Sequence, residues 1–200
     1  MSLIGEGLTC VRGGRTVFAN FSFRVEGGEA IEIVGPNGAG KSSLLRLIAG
    51  LVRLEAGRLV LAGGDDEAPI AEQVHYCGHQ DAFKAALTVA ENLDFWTRYL
   101  GGGGKTMTEA LDRLGLGPLA LLPAGYLSAG QRRRLALARL ITVKRPVWLL
   151  DEPTAALDVA SQGVLAAIMA DHVADGGLIL AATHGPLGLP TRALSIATGA

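Results

Sequence analysis

An apolar stretch at residues 30–34 runs into Gly35, Pro36, Asn37, Gly38, Ala39, Gly40, Lys41 and Ser42, then into a segment with Leu44, Leu45 and Ile48 at helical spacing. The pattern G-x-x-x-x-G-K-S/T carries meaning only between a buried strand and a helix, and both flanks are present. Its glycines let the backbone curl so that successive N–H groups point at phosphate oxygens, and the helix N-terminus adds partial positive charge at the same place. Lys41 can then reach the β- and γ-phosphates, Ser42 can offer its hydroxyl to Mg²⁺, and Ser43 continues the helix start. A chain built around this unit must contain a parallel sheet covered on both faces.

The remaining pattern agrees. Residues 147–150 and 178–183 are almost continuously apolar, as central parallel strands are, and 49% of the chain is hydrophobic against 18% charged. Residues 17–25 instead place Phe21, Phe23 and Val25 at period two, and residues 57–61 repeat that pattern, which predicts a smaller antiparallel β portion. The expected class is α/β, one domain over residues 1–200: a core from about 1–80 and 129–200, with a helical insertion at about 81–128. Helices are expected at 90–100, 108–114 and 131–141, and an edge strand at 192–197. Gly101 to Gly104 followed by Lys105 and Thr106 imitate a second phosphate loop, but Tyr99 stands where the pattern needs glycine. They read as a flexible connection between helices.

Residues 147–152 end an apolar strand in Asp151 and Glu152, at the sheet end where α/β folds place ligands. Asp151 is suited to hold Mg²⁺ and Glu152 to act as general base toward water. Ser128 is placed as a helix N-cap ahead of Gly130 and Gln131, a second helix start able to face an anion. A net charge of −1 sets up no global field for nucleic acid, and no nucleic-acid partner is expected. Arg132, Arg133, Arg134, Arg139, Lys144 and Arg145 lack interleaved aromatics and read as a solvated helix face or a partner contact. Cys10 and Cys77 form no C-x-x-C pair and are expected to be free buried thiols. No apolar run is long enough to span a bilayer and residues 1–6 do not resemble a signal peptide, so a cytoplasmic chain is expected.

Taken in order, these motifs resemble the ATP-binding cassette family, whose signature L-S-G-G-Q appears at residues 127–131 with Ala129 as a departure. The resemblance implies an ATPase that binds ATP and Mg²⁺ between two head-to-tail cassettes, here a homodimer, with Ser128, Gly130 and Gln131 of one copy facing the phosphate loop of the other. It further implies Gln80 as the glutamine that joins Mg²⁺ and the γ-phosphate to the insertion, residues 156–158 at the dimer seam, and His184 as the histidine at the γ-phosphate. The aromatic residue that stacks on adenine in the family is missing here; Arg12, with Phe18 behind it, is the substitute. Residues 76–80, 126–140 and 146–153 are similar to the ATP-binding subunits of cytochrome c maturation, or haem exporter, systems. Asp81 replaces the family's proline, Leu149 an isoleucine, and residues 154–157 an aromatic-containing version. That likeness implies integral membrane subunits docked on the helical insertion and a peripheral position on the cytoplasmic face of the bacterial inner membrane. An exporter of a drug, lipid or peptide would use the same residues, and a soluble non-transport cassette ATPase is the third alternative.

Overall fold

The computed structural model describes residues 1–196. Its strands in chain order are β1 (Ser2–Arg12), β2 (Arg15–Glu26), β3 (Ala30–Val34), β4 (Ala56–Ala62), β5 (Val74–Cys77), β6 (Val147–Asp151), β7 (Leu178–Ala182) and β8 (Arg192–Ser195). The helices are α1 (Lys41–Ile48), α2 (Val89–Leu100), α3 (Met107–Arg113), α4 (Ala129–Thr142) and α5 (Val159–Ala174). Five strands form a parallel sheet in the order β5-β6-β7-β3-β8, and three form an antiparallel sheet in the order β2-β1-β4.

Strands β6 and β7 are buried at every position because each faces two different cores. Val147, Leu149, Leu178 and Leu180 pack with α1 residues Leu44 and Leu45 and with Leu3 and Val25 of the antiparallel sheet. Trp148, Leu150, Ile179 and Ala181 turn the other way, onto Leu137 and Leu140 of α4 and Ile168 and Met169 of α5. Period two is therefore present but invisible as a polarity pattern, since both faces are covered. Each leucine so buried contributes about 1.5–3 kcal/mol relative to exposure.

One expectation needs revision and another needs trimming. Gly101 to Gly104 do not form a slack tether: Gly101 caps α2 in the left-handed region at φ 96°, Gly102 accepts from the Lys144 N–H at 3.1 Å, and Lys105 N–H reaches Ile141 O at 2.9 Å. The glycines are there for close backbone approach to the end of α4. The edge strand exists as β8, paired in parallel with β3; Ala197 of the expected 192–197 span lies outside the described residues.

Helix starts are explicit. Thr88 with Glu91, Thr106 with Glu109, and Ser128 with Gln131 form reciprocal capping boxes on α2, α3 and α4, and Asp158 caps α5 through the Ser161 N–H at 2.7 Å. Helix α4 thus begins two residues earlier than the expected 131, with Ser128 as the foreseen cap. Helices α2 and α3 lie between β5 and β6 in the chain and pack against α4. Among the described residues no helix is long and apolar enough to cross a membrane.

Candidate functional site

The loop after β3 keeps its shape through glycine and through one lysine. Gly40 sits at φ 104°, and a Cβ there would lie 2.6 Å from Val17 Cγ1, so only glycine fits. Lys41 folds its ammonium back across the loop, donating to Gly35 O at 2.7 Å and Pro36 O at 3.3 Å. Ala39 N–H donates to Pro36 O at 3.1 Å, closing the turn from beneath. Helix α1 leaves this loop with no side-chain cap and no acidic residue in its first turn.

The strand next but one, β6, ends beside α1. Ser42 Oγ donates to Asp151 Oδ1 at 2.9 Å, which places a hydroxyl and a buried carboxylate side by side. These are hard oxygen donors, the type Mg²⁺ takes alongside phosphate and water. Tyr76 OH lies 3.4 Å from the other Asp151 oxygen and accepts from Arg46 Nε at 3.0 Å. Burial raises the Tyr76 phenol pKa, and the bond that Arg46 donates to Tyr76 raises that of the Arg46 guanidinium. Sequence reasoning overlooked both residues because Tyr76 reaches Asp151 from the neighbouring strand β5 and Arg46 joins from α1, contacts that only the tertiary fold makes.

Glu152 follows with φ 49°, in the left-handed region that few non-glycine residues occupy. Its N–H donates to Ala182 O at 2.8 Å; its carboxylate receives the His184 backbone N–H at 3.4 Å and lies 3.7 Å from His184 Nε2. One cavity of about 500 Å³ collects Asn37, Gly38, Gly40, Lys41, Ser42, Ser43, Asp151, Glu152 and His184, with Arg12 and Val17 at its side. Gly35, Pro36 and Ala39 shape the loop through their backbone without lining it. Phe18 is buried in the core, its ring 5.8 Å from Phe21, so it is not available behind Arg12.

Two groups of expected residues stand elsewhere. Gln80 lines a neighbouring cavity with Tyr76, Asp81 and Trp96, and the residue of its loop that reaches the phosphate-loop cavity is His79, which borders both. Ser128, Gly130 and Gln131 sit at the start of α4, outside that cavity, with Ser128 exposed.

The arginines correct the expectation of a solvated face. Arg133 and Arg139 are buried, and Arg139 donates to Tyr76 O at 2.7 Å. Arg134 donates to Leu114 O at 2.8 Å and Arg145 to Val74 O at 2.6 Å. A signal was available in the spacing: Arg133 lies four residues before Leu137 and seven before Leu140, on the apolar face of α4.

Residues 18–155 match the family described as ABC transporter. The chain is 60% identical over 196 residues to the cytochrome c biogenesis ATP-binding export protein CcmA of Nitrobacter winogradskyi, covering 98% of each chain. It is 57% identical to the protein of the same description from Bradyrhizobium diazoefficiens, again over 98% of both. Among solved structures, a putative ABC transporter ATP-binding protein from Pyrococcus furiosus superposes with a TM-score of 0.83 at 20% identity over 100% of both chains, a likeness of fold. The chain belongs to the ABC transporter family of ATPases, and within it to the cytochrome c biogenesis ATP-binding export proteins.

Proposed function

We propose that this chain hydrolyses ATP to drive membrane subunits that deliver haem for c-type cytochrome assembly. The convergence of Lys41, the Ser42–Asp151 pair, Glu152 and His184 on one cavity carries the hydrolytic reading. Residues 35–43 bind the phosphates through backbone N–H groups and Lys41. Ser42 and Asp151 would hold Mg²⁺, with Gln80 joining them from the neighbouring cavity once its loop moves in, and the ion would supply charge neutralisation on the phosphates. Glu152 takes the proton of the attacking water, and His184 bonds the γ-phosphate. Arg12 stacks its guanidinium on the base.

Ser128, Gly130 and Gln131 serve the nucleotide of a second copy, head to tail, since they lie outside their own chain's cavity on an accessible helix start. Residues 81–128 act as a helical subdomain on which integral membrane subunits dock, holding the chain peripherally at the cytoplasmic face of the inner membrane. Phe95 and Tyr99 support this: they are 47% and 72% exposed on α2, with rings parallel within 3°. Relatives at 57–60% identity, described as cytochrome c biogenesis ATP-binding export proteins, support the cytochrome c assignment.

Glu152→Gln tests the reaction. ATP binding should persist while turnover falls by about 10²- to 10⁴-fold, the usual worth of a general base. Undiminished turnover would remove Glu152 from that role. Affinity purification from native membranes, with mass spectrometry of what remains bound, tests the pathway: unrelated permease subunits in place of haem-handling ones would sink the haem assignment.

A further inference from the structure

Arg133 lies in the second turn of α4 with only 4% of its surface exposed. Its guanidinium has five N–H donors, and each finds an acceptor. Nε donates to Pro153 O at 3.3 Å; Nη1 donates to Gly78 O at 2.8 Å and Asp81 Oδ1 at 3.2 Å; Nη2 donates to Asp151 O at 3.0 Å and Glu152 O at 2.8 Å. Four of these acceptors are backbone carbonyls, so Asp81 is the one counter-charge in the set. A buried cation is tolerated only with this degree of pairing.

The bonds join three pieces of chain: α4, the loop at 78–81 and the end of β6. The carbonyls of Asp151, Glu152 and Pro153 are held by one rigid fork, while the Glu152 N–H is fixed separately to Ala182 O. Glu152 occupies an unfavourable φ of 49°, a conformation that persists only where its surroundings over-determine it. The same fork fixes both ends of the loop carrying His79 and Gln80. Neighbouring arginines do other work, Arg134 at Leu114 and Arg139 at Tyr76.

We propose that Arg133 is a positioning residue for hydrolysis, which couples the 78–81 loop to the backbone of Glu152, with Asp81 as the anchoring charge on the loop. This rests on the reading of Glu152 as general base. When the loop is displaced, Asp81 and Gly78 leave the fork, the guanidinium loses the one charged acceptor among these five bonds, and the hold on the Glu152 backbone loosens. Lysine cannot replace it, because three donors on a point charge cannot span five acceptors in a plane.

The test uses the full chain in its membrane complex, with steady-state ATP hydrolysis and, separately, equilibrium binding of a fluorescent ATP analogue with Mg²⁺. Arg133→Lys should lower kcat by about 10- to 100-fold, as expected for a misplaced catalytic group, with KM and analogue affinity unchanged. Asp81→Asn, which keeps an oxygen acceptor and removes the charge, should lower kcat less, also without moving KM. A folded Arg133→Lys with wild-type kcat, or one in which only KM rises, overturns the proposal. If Arg133→Lys melts below the assay temperature, Asp81→Asn decides alone, and an unchanged kcat overturns it. Glu152→Gln is run beside them: normal turnover there defeats the reading of the base, whereas its loss together with an active Arg133→Lys defeats only the coupling.

Discussion

Lowering the pH from 7 to 5 should destabilise this protein far more than its surface charge would suggest. His75, on β5, is 1% exposed with Nε2 3.0 Å from Val143 O, and it stands across the parallel register from Trp148. Trp148 in turn stacks on His172 of α5 at 3.8 Å. Burial pushes His75 down to about 3; Arg139, Arg145 and His172 push the same way, and the Val143 carbonyl opposes them. Burial also lowers His172 to about 4, against the backbone at Leu178 and Pro146 and the charge of Asp175. The sign follows from proton counts. Below about 6.5 the unfolded chain protonates both rings while the folded chain leaves them neutral, so stability falls with pH until the folded values are reached. Between pH 7 and 5 each histidine should cost about 2 kcal/mol, and the pair about 4 kcal/mol. For a chain of this size that lowers Tm by about 8–16 °C. Circular dichroism melts at pH 7, 6 and 5 read the effect directly. His75→Gln should remove about half of the pH dependence, whatever it does to Tm at pH 7. A wild-type Tm at pH 5 equal to that at pH 7 would refute the reasoning, because it would mean the two rings do not remain neutral in the folded state.

Further outcomes concern the site. Ser42→Ala removes the bond to Asp151 and should raise the Mg²⁺ concentration needed for hydrolysis by about 10- to 100-fold in a metal titration. Ser128→Arg should leave ATP binding to a single copy intact while stopping hydrolysis; a fully active variant would contradict the head-to-tail arrangement. Gly40→Ala must adopt φ 104° against Val17 and should lose about 1–3 kcal/mol in a denaturant melt together with nucleotide affinity.

What the sequence makes legible is what chemistry fixes locally. The spacing from Gly35 to Ser42, the acids ending an apolar strand and the Ser128 cap each depend on neighbours within a few residues, and each stands where the pattern puts it. Strand β5 escapes such reading because it is four residues long and carries His75 and Tyr76, whose polarity is satisfied by distant partners: Val143 for the first, Arg46 and Asp151 for the second. Strand β1 escapes because Gly5 and Gly7 interrupt it, although a Cβ at Gly5 would clash with the Phe23 ring that must lie there. Arg133 is the clearest case. Its partners are 18 to 55 residues away, and nothing in a run of three arginines marks the middle one as the buried member except its place on the apolar face of α4.

The five α-helices of the described residues also divide by the sign of charge at their starts. Glu91, Glu109 and Asp158 set a carboxylate on the first turn or cap of α2, α3 and α5, and hydrogen bonds from Thr88, Thr106 and Ser161 hold all three acids below their ordinary pKa values. Each of those helix dipoles is neutralised by its own chain. Helix α4 closes its capping box with the uncharged Gln131, and α1 begins at Gly40 with no side-chain cap; neither has an acid in its first turn. On the proposed head-to-tail arrangement, the positive ends left uncompensated are the two that the phosphates of ATP would meet, one from each copy of the chain. A glutamate at position 131 would keep the cap geometry and set a negative charge against the nucleotide. On that arrangement, the choice of amide over acid separates a helix that only has to be stable from one that would also receive an anion.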